Sequence, residues 1–396
     1  MEETPIDSIA DDIDPPRIST GSAGLDDILG GGLDAERLYL CEGRPGTGKT
    51  TLALKFLREG ARRGEKTLYI SLSETERELR LVARRHGWSL DGIEVFELVP
   101  PEASLDPARE LTVFHPAEME LSETTQLVFD RVTALNPSRI VFDSLSEMRL
   151  LAQNSLRYRR QILALKHFFT RRACTVLMLD DMSSQGDDLQ LHSIVHGVIF
   201  LEQIAVDYGG ERRRLRIVKM RGMPYRSGYH DFNIATGGLE IFPRLVASEH
   251  HRVSDPGVVS SGHEGLDVMV GGGLHRGTSV LLLGAAGVGK SSLALTYAIA
   301  AAERGEHAVI YAFDEGQDSI LARANSLGLP LQAAMDTGLI RIQQVDPAEL
   351  SPGEFTSQVR SAVGEEGARV VIIDSLNGYL LAMPDERFLI LQMHEL

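Results

Sequence analysis

The chain alternates short runs of apolar residues with longer amphipathic stretches. Leu38–Glu42 has the length and apolar content of a buried strand, and across 50–63 the residues Leu52, Phe56 and Leu57 fall on one helical face. Gly64 stops that helix. Strand-like runs follow at 67–71, 93–99, 140–143, 175–179 and 198–201, most of them separated by helical segments such as 157–171. Strands alternating with helices predict an α/β fold with a mainly parallel sheet covered on both faces. The stretches 213–219 and 230–234 read as antiparallel additions to it.

The pattern occurs twice. Gly21-Ser-Ala-Gly-Leu-Asp-Asp-Ile-Leu-Gly-Gly-Gly-Leu33 returns as Gly262-His-Glu-Gly-Leu-Asp-Val-Met-Val-Gly-Gly-Gly-Leu274, and the same spacing relates Lys49 to Lys290, Gly64 to Gly305 and Glu74 to Glu315. Asp143 corresponds to Asp374 across a shorter interval, which a loop absorbs. The expected organisation is an acidic flexible tail at 1–16, a first domain at 17–246, a linker at 247–257 containing His250 and His251, and a second domain at 258–396.

Each repeat carries a phosphate-binding signature. Gly43-Arg-Pro-Gly-Thr-Gly-Lys-Thr50 lies after a strand and before a helix, the context in which backbone N–H groups and a helix N-terminus converge on phosphate. The expected nucleotide contacts are Gly43, Pro45, Gly46, Thr47, Gly48, Lys49, Thr50 and Thr51. In the second copy they are Gly284, Gly287, Val288, Gly289, Lys290, Ser291 and Ser292. Thr50 and Ser291 supply hydroxyls for magnesium, and Asp143 and Asp374, each ending an apolar strand, add a carboxylate to the same ion. Glu74 and Glu315 follow the next strand, where a carboxylate can deprotonate the water that attacks the γ-phosphate; the plain alternative is helix capping. Asp180 and Asp181 are either phosphate sensors or a solvated helix start, and Met220 and Met223 read as packing.

Charge narrows the choice of partner. With 40 basic against 56 acidic residues the chain carries −16, which argues against a general nucleic-acid binder; the Arg212–Arg216 cluster is better read as a subunit contact. Two cysteines, Cys41 and Cys174, are too few for a disulfide framework, and no run approaches the ~20 apolar residues of a membrane span, so a cytoplasmic protein is expected.

The Gly-Leu-Asp…Gly-Gly-Gly-Leu segments, the paired phosphate loops, the two Asp-Ser-Leu strand ends and Lys219-Met-Arg-Gly222 together resemble the KaiC family of RecA-like ATPases, from about residue 17 onward. The resemblance implies tandem RecA-like domains, the second C-terminally truncated, that bind Mg²⁺ and ATP between neighbouring subunits of a homo-oligomeric ring, commonly hexameric. It implies that Lys219 and Arg221 act on the neighbour's γ-phosphate, alongside Glu74, Asp314 and Glu315 as catalytic residues, and that the output is signalling through protein partners.

This chain departs from the family pattern at Ser73, which stands where a second glutamate is common, with Asp314 at that position in copy two. The second copy also lacks a basic finger and any counterpart of 175–179, so its sheet is expected to miss the strand between the phosphate-loop strand and the Asp374 strand. The family's best-known autophosphorylation segment has no counterpart either. A Ser/Thr protein kinase, a DNA-stimulated recombinase or helicase, and a scaffold that binds ATP without turnover are the rival readings.

Overall fold

The computed structural model describes residues 15–98, 116–182, 188–205, 209–246, 257–381 and 393. The expected acidic tail, apart from its last two residues, and nearly all of the expected linker with His250 and His251 lie outside them. The chain divides into two compact units, one formed by Met1–Ala205 with Arg212–Pro243 and the other by Val206–Glu211 with Arg244–Leu396.

In the first unit a nine-stranded sheet runs in the order Gly238–Phe242, His230–Ala235, Arg212–Met220, Gly197–Ile204, Leu38–Glu42, Thr175–Asp180, Arg139–Asp143, Thr67–Ser71, Ile93–Glu97. The strands from Gly197–Ile204 to Ile93–Glu97 are parallel, and the remaining three add on antiparallel, as the sequence pattern predicts. Leu38–Glu42, Thr67–Ser71, Arg139–Asp143 and Thr175–Asp180 are buried along their whole length, which explains their unbroken apolar runs. One core layer packs Leu52, Phe56 and Leu57 of the helix Lys49–Arg62 against Tyr39, Tyr69 and Val141. The other packs Ile162, Leu165 and Phe169 of the helix Ser155–Thr170 against Leu40, Ile140 and Met178. Met220 and Met223 belong to the first layer, and both cysteines are buried and free.

A buried cation ties this core together. Arg139 has no exposed surface; it pairs with Glu65 at 2.6 Å and donates to the carbonyls of Ser19 and Phe56. Gly60 leaves it room, because a Cβ there would stand 2.7 Å from Arg139 Cδ.

The repeated opening segment folds alike in both units. Asp26 accepts from Ser19 Oγ and from the Thr20 amide and hydroxyl, and Asp267 accepts from Ser260 Oγ and the Ser261 amide. Gly32 and Gly273 both have positive φ, and a side chain at either would collide with the carbonyl of Ile18 or Val259.

The second unit has a three-stranded parallel sheet in the order Ile340–Gln344, His307–Ala312, Ala368–Asp374. This reproduces one side of the first sheet. The segment 280–283, counterpart of the phosphate-loop strand, has no strand assignment, and Val280, Leu281 and Leu283 are 50%, 61% and 84% exposed. In the first unit Leu38–Glu42 is held between Thr175–Asp180 and Gly197–Ile204. No counterpart of either flanking strand occurs among the described residues of the second unit, so the ladder that would order 280–283 is missing there. The adjoining helix Glu264–Met269 likewise buries none of its residues.

Candidate nucleotide site

In the first unit the phosphate loop joins the Leu38–Glu42 strand to the Lys49–Arg62 helix. Gly46 and Gly48 take φ of 85° and 100°, which turns the intervening amides inward. Gly43 is sealed from below, since a Cβ would meet the Leu201 carbonyl at 2.5 Å. Thr47 donates back to the Arg44 carbonyl at 2.8 Å. Lys49 is buried, and its ammonium bonds the carbonyls of Gly43 at 2.7 Å and Arg44 at 3.1 Å and pairs with Asp181 at 2.8 Å. These partners hold the charge where an anionic phosphate would otherwise sit, so the cradle suits a polyphosphate.

Parallel pairing sets Ser71 opposite Asp143 and brings the carboxylates together. Asp143 is 6% exposed, and burial, with Asp181 adding to it, pushes its carboxyl up despite the hydrogen bond from Tyr69 and the nearby Lys49. Tyr69 donates its hydroxyl to Asp143 Oδ2. The described residues contain no group of three or more His, Cys, Asp or Glu side chains able to enclose a metal alone. One carboxylate and one hydroxyl fit an ion such as magnesium, which completes its shell with water and phosphate oxygens.

Glu74 stands beside this pair, half-buried, with its Oε2 buried and unbonded. Burial first, then Asp143, Glu78 and Asp181, push its carboxyl up to about 7. It does not cap the following helix. Thr75 is the N-cap of Glu76–Arg85, and Glu78 closes the capping box. In the second unit Glu315 is instead paired with Arg323, and Asp314 accepts from Ser375. Val82 occupies the position of Arg323 in copy one, so the two glutamates differ through a residue on the neighbouring helix. The second loop keeps its shape, with Gly287 and Gly289 at positive φ and Lys290 bonded to the Gly284 and Ala285 carbonyls at 2.9 Å, but its residues are largely exposed. Ser291, Ser292 and Asp374 are part-buried, and Val288 is 63% exposed.

Lys219 and Arg221 lie elsewhere. They cap the C-terminal end of the helix Asp188–Ile194. Lys219 bonds the carbonyls of His192 and Val195, Arg221 that of Ser193, and Lys166 that of Ile194. Burial, then the neighbouring Arg221 and Lys166, lower the Lys219 ammonium. His192 also pairs with Glu42, the residue before Gly43, at 2.9 Å. Of the secondary candidates, Asp180 is buried and pairs with Arg149, and Asp181 faces the phosphate-loop lysine. Arg214 and Arg216 of the basic cluster stack on Tyr229. Sequence reading missed Tyr69, which looked like one more apolar strand residue.

The parallel sheet, the phosphate loop at a strand-to-helix turn and the strand-end aspartate define a P-loop ATPase domain of the RecA-like type. The KaiC ATPase family matches residues 18–246 and, a second time, 259–395. The chain belongs to that family. It is 28% identical over 380 residues to the circadian clock oscillator protein KaiC of Picosynechococcus sp., covering 94% of this chain and 72% of the relative. It is 26% identical over 384 residues to the KaiC of Acaryochloris marina, covering 95% and 72%. No described helix is long and apolar enough to cross a membrane.

Proposed function

We propose that the first domain hydrolyses ATP with magnesium between subunits of a ring, and that the turnover serves regulation or signalling in the cytoplasm, the direction in which the clock-protein names of the relatives point. The observation that carries this reading is the unbonded, buried Glu74 Oε2 beside Asp143, on a carboxyl whose affinity for a proton is raised to about 7. Such a group is matched to taking a proton from water at neutral pH.

Lys49 exchanges its loop carbonyls and Asp181 for the β- and γ-phosphates, and the amides around Gly46 and Gly48 hold the remaining oxygens. Thr50 and Asp143 are the residues that hold magnesium, whose chemistry is to neutralise charge building on the phosphate oxygens. Glu74 orients the attacking water and accepts its proton. Lys219 and Arg221 leave the helix carbonyls they cap and stabilise charge on the nucleotide of the adjacent subunit. The second copy, with Ser291, Asp374, Asp314 and Glu315 in the corresponding roles, binds more weakly wherever the segment before its loop stays as exposed as it is among the described residues.

Phosphate release by purified oligomer, with and without DNA, tests the reading. Arg221→Ala and Lys49→Ala should each be inactive alone and recover part of the activity when mixed, because an intact loop then meets an intact finger from another chain. Mixed rings without activity would exclude the finger in trans. Radiolabel retained on protein would favour the kinase, and DNA stimulation the recombinase.

A further inference from the structure

The proposed carboxylate ligand of the first unit has a partner whose counterpart in the second unit is aliphatic. Tyr69 is fully buried in the middle of a strand, opposite Val141. A hydroxyl in such a place costs stability unless it is bonded, and an aliphatic side chain fills the space without that cost. The second copy does just that, with Ile310 opposite Ile372 at the corresponding positions. In the first copy the hydroxyl reaches Asp143 Oδ2.

We propose that Tyr69 is a positioning residue for the metal, fixing the Asp143 carboxylate in one arrangement before nucleotide arrives. The proposal rests on the nucleotide reading above. With Oδ2 engaged by Tyr69, Oδ1 is the oxygen left to face the ion or a water bound to it. Asp143 also has Asp181 and Glu74 nearby. The fixed hydrogen bond keeps the carboxylate from turning away from these like charges, so less ordering remains to be done when the ion binds. In the second unit Ile310 can offer Asp374 no such bond.

The test is a titration of Mn²⁺ into the protein with ADP, followed by electron paramagnetic resonance, in a Lys290→Ala background that silences the second loop. Tyr69→Phe should raise the Mn²⁺ concentration for half-saturation about tenfold, the effect expected on losing one hydrogen bond to a charged group. ADP affinity in EDTA should stay within about twofold, since the amides and Lys49 are untouched. Tyr69→Ile, the residue of the second copy, should behave like Tyr69→Phe. An unchanged Mn²⁺ curve in Tyr69→Phe, where the unaltered protein binds Mn²⁺ with ADP, would overturn the positioning role alone. Equal losses with and without metal would do so too, by making the tyrosine merely structural. If the unaltered protein retains no Mn²⁺ with ADP, the nucleotide reading itself fails.

Discussion

In the first unit the loop at Gly43 grows out of a strand bonded on both sides, and its lysine is buried. In the second unit the loop at Gly284 turns the same way and folds its lysine onto the same two carbonyls, yet the segment before it is unpaired and exposed. The comparison separates two properties that usually travel together. Local glycine and lysine chemistry suffices to shape the loop, whereas burial, and with it the electrostatic strength of the site, comes from the sheet. The proposed catalytic carboxylates diverge as well, since Glu74 keeps an unbonded oxygen while Glu315 is paired with Arg323.

The sharpest way to break this comparison is to remove each carboxylate in turn. Glu74→Gln should keep nucleotide binding and lose turnover by roughly 10²- to 10⁴-fold, the usual contribution of a positioned base. Glu315→Gln should change the steady-state rate of phosphate release less than about twofold. Equal losses would mean that the second site turns over despite its exposed loop.

Much of this difference could be read from the chain, and some could not. The phosphate loops and strand-end aspartates were legible because glycine, lysine and aspartate are constrained at fixed offsets by backbone geometry. Counting strands led to the missing counterpart of 175–179, but not to the loss of the strand at 280–283 itself. The roles of Val82 and Arg323 were invisible, because a position on a neighbouring helix gains meaning only once the helix is packed. The contacts of Lys219 and Arg221 with the end of a seven-residue helix were hidden for the same reason.

Hydrogen exchange sharpens the structural half of the comparison. Amides of 39–42 should exchange at least about 10²-fold more slowly than those of 280–283, as a central strand opens only with most of its domain. Comparable protection by mass spectrometry would show that 280–283 is paired in the assembled protein.

The smallest expected effect is on stability. In the nucleotide-free fold the Glu74 carboxyl is raised from 4.5 to about 7, so the folded state binds a proton that the unfolded state has released. Stability from this group therefore falls as pH rises from about 4.5 to about 7 and is level above that. Glu74→Gln should melt progressively higher than the unaltered protein across that window, with the gap constant at higher pH. A gap independent of pH would assign the difference to packing.

The buried arginine limits how the two repeats can be exchanged. Gly60 and Arg139 correspond to Ala301 and Val370 in the second copy, by the same spacings that relate the lysines and the aspartates. An alanine introduced opposite the arginine would collide with it, and a valine put in place of the arginine would strand Glu65 and two carbonyls. Neither residue can be exchanged alone, so the helix and the strand that carry them are coupled. A chimera assembled from the two repeats must therefore inherit both segments from one parent.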